Sequence, residues 1–136
     1  MEPITVSTDI KAPKEKVWEY WTKPEHITKW TFASDDWHAP KAENDLSVGG
    51  KFKTRMEAKD QSAGFDFGGT YSAVEPEKLI EYSMDDGRKV RVEFSETPDG
   101  TTVTETFDPE NENPIEMQRG GWQSILDNFK KYTEKN

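Results

Sequence analysis

The sequence predicts an α+β fold: a curved, six-stranded antiparallel sheet whose apolar face is covered by one long C-terminal helix. Three observations carry that expectation. From Lys51 to Phe107 apolar and polar residues alternate in runs separated by short turn sequences. From Asn113 onward the period becomes helical, with a single apolar stripe. Glycine pairs at 49–50 and 68–69 stand where strands would bend.

Each element has its own justification. Ile4, Val6 and Ile10 alternate with Thr5, Ser7 and Asp9, so residues 4 to 10 read as a half-buried strand. Pro13 suits the first turn of a helix, where its missing N–H costs nothing. That helix carries Val17, Trp18 and Trp21 on one face. Thr22-Lys23-Pro24-Glu25 reads as a capping box opening a second short helix, with Ile27 and Trp30 on it. From Thr31 to Val48 no period survives, which predicts a functional loop or a hidden helical turn.

After Gly49-Gly50 the period is two. Phe52, Thr54, Met56 and Ala58 share one face, opposite Lys51, Lys53, Arg55, Glu57 and Lys59. Phe65, Phe67, Gly69, Tyr71 and Ala73 form the next inward set, then Ile80, Tyr82 and Met84. Asp86-Gly87 is a hairpin signal, followed by Val90, Val92 and Phe94. Pro98-Asp99-Gly100 turns the chain again, and Val103, Glu105 and Phe107 end a meander of five consecutive strands. Asn113-Pro114-Ile115-Glu116 opens the last helix, with Asn as cap and Pro at the first position. Ile115, Trp122, Leu126 and Phe129 make its stripe, with Ile125 at the margin and Gln118 inside it. No boundary or repeat interrupts the chain, so residues 1–136 read as one domain.

A net charge of -9 over 136 residues would be repelled by phosphate backbones, which excludes general nucleic-acid binding. Aromatics make up 12% of the chain and recur at regular spacings, which argues against disorder. With no cysteine there is no disulfide, thiolate ligand or cysteine nucleophile. His26 and His38 are the only histidines, too few for a zinc site, and no GxSxG or phosphate-binding loop is present. Neither a metal nor a cofactor is expected. The N-terminus lacks an apolar signal region and no run could span a bilayer, so the expectation is a cytoplasmic protein without membrane insertion.

IKAPKEKVWEYWTKPEHITKW, DLSVGGKF, GTYSAVEPEKLIEY, GTTVTETF and GWQSILDNFKKY follow one another over nearly the whole chain. In that order they resemble the family named after the activator of Hsp90 ATPase, within the START and Bet v 1-like helix-grip superfamily. The resemblance implies a sheet gripping the C-terminal helix around an internal cavity. Superfamily members bind lipids, hormones or polyketide-like molecules, and some catalyse cyclisation or hydrolysis. The family name derives from the C-terminal domain of a eukaryotic co-chaperone. This chain has no counterpart of that protein's N-terminal, Hsp90-stimulating domain. The expected partner is therefore a small apolar, ring-containing molecule, with a chaperone ranked behind it.

Candidate site residues follow from parity and position. Trp18 and Trp21 read as core, whereas Trp30, Phe32 and Trp37 flank the long loop at the expected cavity mouth. Met56, Phe67, Tyr71, Tyr82, Met84, Phe94 and Phe107 point inward from the strands, and Trp122 faces them from the helix. Methionine and tyrosine suit a wall that must adapt or present a polar tip. Glu105 shares the parity of Val103 and Phe107, so strict alternation turns a carboxylate inward unless a bulge reverses it. Buried, it demands a partner or a raised pKa, and Gln118 or Arg119 is the candidate partner. There it would anchor a polar ligand group, or serve as a general base beside His38 or a tyrosine in an enzyme. Gly120-Gly121 implies either close approach of the helix to a neighbour or a soft point in it.

Overall fold

The structure, a computed structural model, describes residues 2–136. Strand β1 (Ile4–Ile10) leads into two short helices, α1 (Lys14–Thr22) and α2 (Pro24–Ile27). Six further strands follow: β2 (Trp37–Asn44), β3 (Lys51–Ala58), β4 (Gly64–Glu75), β5 (Leu79–Met84), β6 (Lys89–Thr97) and β7 (Gly100–Phe107). Helix α3 (Ile115–Lys135) completes the described chain. The strands form one curved antiparallel sheet in the order β1-β7-β6-β5-β4-β3-β2. A meander from β2 to β7 is thus closed at one side by β1, which returns to pair with β7.

The sheet has seven strands, not six. The extra one, β2, occupies the segment expected to be an unstructured loop. Its register shifts between His38 and Lys41, where Ala39 and Pro40 together oppose one residue of β3. That bulge breaks the alternation a sequence reading relies on. Proline is tolerated there because β2 is an edge strand. A second bulge sits in β4 between Tyr71 and Ala73, so Val74 pairs with Ile80 and packs on the core, while Ala73 pairs with Glu81 on the outer face. The expected inward position of Ala73 is therefore reversed.

The helix starts also differ by small steps. Thr22 is not a cap: it ends α1 and its Oγ1 donates to the Trp18 carbonyl (2.8 Å), leaving Lys23 to precede α2. Pro114, not Asn113, stands at the cap of α3, and Pro13 stands at the cap of α1 instead of in its first turn. Ile115 falls outside the buried stripe and is exposed, whereas Leu126, Phe129 and Thr133 are fully buried.

The core lies between the sheet and the second half of α3. Phe129 meets Trp21 and Trp30 edge-on, at ring distances of 4.8 and 4.7 Å. Phe94 packs edge-on against both Trp18 and Trp21. Helix α3 also covers the free edge of β1. Arg119 Nη1, Gln123 Nε2 and Lys130 Nζ donate to the carbonyls of Thr5, Ser7 and Asp9, every second residue of that strand. Gly69 is required by close approach: a side chain there would strike the Ser83 carbonyl and the Phe52 ring. Nothing lies close to Gly120 or Gly121, so helix proximity does not explain that pair.

Candidate functional site

Between α3 and the β3–β5 part of the sheet the interior is not filled. A cavity of about 630 Å³ remains, within the size range of small-molecule sites. Its position follows from the core just described. Helix α3 runs along β1, and Phe129 in its second half packs on Trp21 of α1 and on Trp30, which leaves the β3–β5 part of the concave face uncovered.

The inner end of the cavity is closed by Trp21, Ile27, Trp30 and Thr31. Its walls are Phe52, Thr54, Met56, Phe65, Phe67, Tyr71, Ile80, Tyr82 and Met84 from the sheet, with Trp122 and Ile125 from α3. The aromatic wall is braced on itself: Phe52 meets Tyr82 edge-on at 4.7 Å and tilts against Tyr71 at 5.2 Å. Trp122 lies flat on Phe107, with rings 3.9 Å apart and 9° from parallel. One face of the indole is therefore fixed by β7.

Polar groups enter this wall sparingly. Tyr71 Oη donates to Asn44 Oδ1 (2.6 Å), and Asn44 Nδ2 donates to the Thr22 carbonyl (2.6 Å), tying the edge strand β2 to the end of α1. Burial raises the Tyr71 phenol above its ordinary range. Burial, and then the neighbouring Glu105 charge, push the Tyr82 phenol well above its own. Glu105 itself faces inward, as alternation predicts, and is only 5% exposed. Burial pushes its carboxyl up to about 8, because an apolar wall disfavours the charged form. No hydrogen bond from another described residue relieves it.

The expected partners of Glu105 are engaged elsewhere. Gln118 accepts from the Glu110 N–H (2.9 Å) and donates to the carbonyls of Glu110 (3.1 Å) and Asn113 (2.8 Å). It thereby fastens the acidic loop before α3 at the cavity mouth. Arg119 reaches β1 and Glu116 instead. His38 faces Glu57 (3.7 Å) on the opposite side of the sheet, away from the cavity. An acid–base pair of Glu105 with His38 is thus ruled out by position.

Of the predicted site residues, Trp30, Met56, Phe67, Tyr71, Tyr82, Met84, Glu105, Gln118 and Trp122 line the cavity together. Four others do not. Phe94 is taken up by α1, and Phe107 lies behind Trp122. Trp37 stands beyond the rim, with Phe65 between it and the space (5.9 Å). Phe32 lies past α2, where its carbonyl accepts from Asn128 Nδ2 (3.5 Å). Among the lining residues that sequence reasoning missed are Trp21, Thr31, Arg88, Glu110 and Glu112. Trp21 shows no outward sign of serving both core and cavity. The other four depend on how α2, the β5–β6 turn and the loop before α3 fold back.

A curved antiparallel sheet holding a C-terminal helix over a partly open apolar cavity defines a helix-grip protein. Residues 11–134 match the family model for activator of Hsp90 ATPase homolog 1-like protein. The chain belongs to that family, within the START and Bet v 1-like superfamily. Among solved structures it is similar to an AHSA1-like protein from Aeromonas hydrophila, at 47% identity and a TM-score of 0.92, covering 98% of this chain and 92% of that one. A protein from Cytophaga hutchinsonii shares 55% identity at a TM-score of 0.85, over 98% of this chain and 93% of that one. A Chromobacterium violaceum protein at 23% identity, fully covered on both sides with a TM-score of 0.88, shares the fold. No curated protein matches the chain.

Proposed function

We propose that this protein binds a small hydrophobic, ring-containing molecule in the cavity between the sheet and α3. The observation carrying this reading is the unfilled space of about 630 Å³, walled by aromatic and methionine side chains with one inward, unpartnered carboxyl. A wall of that composition takes up ring systems by apolar burial and orients them through its few polar groups. Family membership supports the same reading, since START-like folds typically hold hydrophobic ligands.

The test is a set of unfolding curves with and without flat polycyclic, fatty-acyl and polyketide-like probes. A ligand at about 100 times its dissociation constant should add roughly 2.7 kcal/mol to stability. Should every class of probe leave the midpoint unmoved, the reading falls.

A catalytic reading has one observation behind it. Glu105 and Tyr82 bring two titratable groups to the same wall, close enough for the charge of one to act on the other. A protonated Glu105 would serve there as a general acid. Recovering bound probes chemically changed after incubation would favour that reading over simple binding.

A further inference from the structure

Resting on the binding reading above, we propose that the ligand is a cation: a ring-bearing amine whose ammonium group is set against Glu105. Glu105 lines the cavity, is 95% shielded from solvent (5% exposed) and has no hydrogen-bond partner among the described residues. A carboxyl left unsatisfied in an apolar wall costs free energy that an incoming donor recovers. A charged donor recovers more than a neutral one.

The other charges along the cavity favour the same class. Apart from tyrosines, its titratable lining groups are Arg88, Glu105, Glu110 and Glu112, with no lysine or histidine among them. The single base is already committed, since Arg88 Nε donates to Asp86 Oδ2 (2.8 Å). The Glu110 carboxylate is held at the mouth by the N–H groups of Glu112 (3.0 Å) and Asn113 (2.9 Å). A cation therefore approaches through an acidic loop of a chain whose net charge is -9, and passes aromatic rings that attract it. An anionic ligand meets repulsion at the mouth, from Glu110 and Glu112. A neutral alcohol gains one hydrogen bond and nothing from the field.

The groups around Glu105 leave it as the one acid inside. On β7 itself Val103 and Phe107 flank it, and β1 and β6 set Val6 and Val92 beside it. Strand β5 contributes Tyr82, β4 contributes Tyr71, and the turn after β5 contributes Arg88. From α3 come the neutral Gln118 and Trp122, and Glu110 and Glu112 stand in the loop before it. At neutral pH the free carboxyl carries its proton, because burial pushes it up to about 8. Pairing with an ammonium group turns it into a carboxylate and sends that proton to solvent.

Three matched probes test this: anthracenylmethylamine, anthracenylmethanol and anthracenecarboxylic acid, titrated calorimetrically at pH 7 in two buffers of different ionisation enthalpy. The amine should bind about tenfold or more tighter than the alcohol, and the acid more weakly than either. Amine binding should release close to one proton, and alcohol binding none. Glu105→Gln should remove both the amine's advantage and the proton release while retaining the alcohol, whose binding reports an intact fold. If the alcohol binds and the amine does no better, or releases no proton, the cation assignment is wrong and the cavity reading stands. If the amine's advantage survives Glu105→Gln, the assignment is equally wrong. If none of the three binds, the cation assignment is overturned, while the cavity reading is decided by the wider panel of probes.

Discussion

Glu105 holds a proton in the folded protein under conditions where the unfolded chain has lost it. Its carboxyl is raised from 4.5 to about 8 by burial. Between those two values the native state binds the extra proton, so stability falls as pH rises through that window and levels off above it. The total decline due to this residue is on the order of 3–5 kcal/mol. Glu105→Gln should flatten the decline and leave the variant more stable than wild type at pH 9, with little difference at pH 4. Urea midpoints measured across that range check it, and parallel profiles for the two proteins would show that Glu105 is not the titrating group. From the sequence the direction of this side chain stood open between strict alternation and a bulge; β7 is regular, so alternation holds. The role of Gln118 was not legible. Its amide makes three hydrogen bonds within the loop from Glu110 to Asn113, and a helical wheel carries no information about a loop's path.

Among the strands, those with unbroken periodicity matched their sequence reading, and those with a bulge departed from it, β2 altogether and β4 only beyond Tyr71. Strands β3, β5, β6 and β7 bury the residues that alternation selects. Strand β2 was hidden because Ala39 and Pro40 share one partner position, which shifts the phase halfway along an eight-residue strand. The bulge in β4 has a practical result: a bulky residue at Ala73 would point outward, and one at Gly69 would strike backbone. Neither would probe the cavity. Ile125 on α3 lines it and is only half-buried, so Ile125→Trp is the apt probe. Entering free space, the larger ring should cut probe affinity about tenfold or more while costing under about 1 kcal/mol in stability. A stability loss of about 1–3 kcal/mol, as overpacking a filled core costs, would show that the space is not there. Chemical denaturation and a fluorescence titration on the same variant supply both numbers.

At the scale of the whole molecule, the seven-stranded sheet and α3 account for the family assignment without implying chaperone work. The family's name points to Hsp90, yet this chain has an unfilled interior and a net charge of -9. Added in excess to an Hsp90 ATPase assay, the chain alone should give no substantial stimulation, and a several-fold increase in turnover would reverse that expectation. The contact between α3 and β1 has a mechanical consequence. Arg119, Gln123 and Lys130 tie down the helix at three points along its length, and Trp122 is pinned flat on Phe107. Lifting α3 as a rigid lever would strip the hydrogen bonds from the outermost strand and bare a template for other chains to join. Only the first turn, from Ile115 to Gln118, lies ahead of the first tether, and it is tied instead to the acidic loop. A guest admitted by movement of that loop and one turn of helix would leave the edge of the sheet latched.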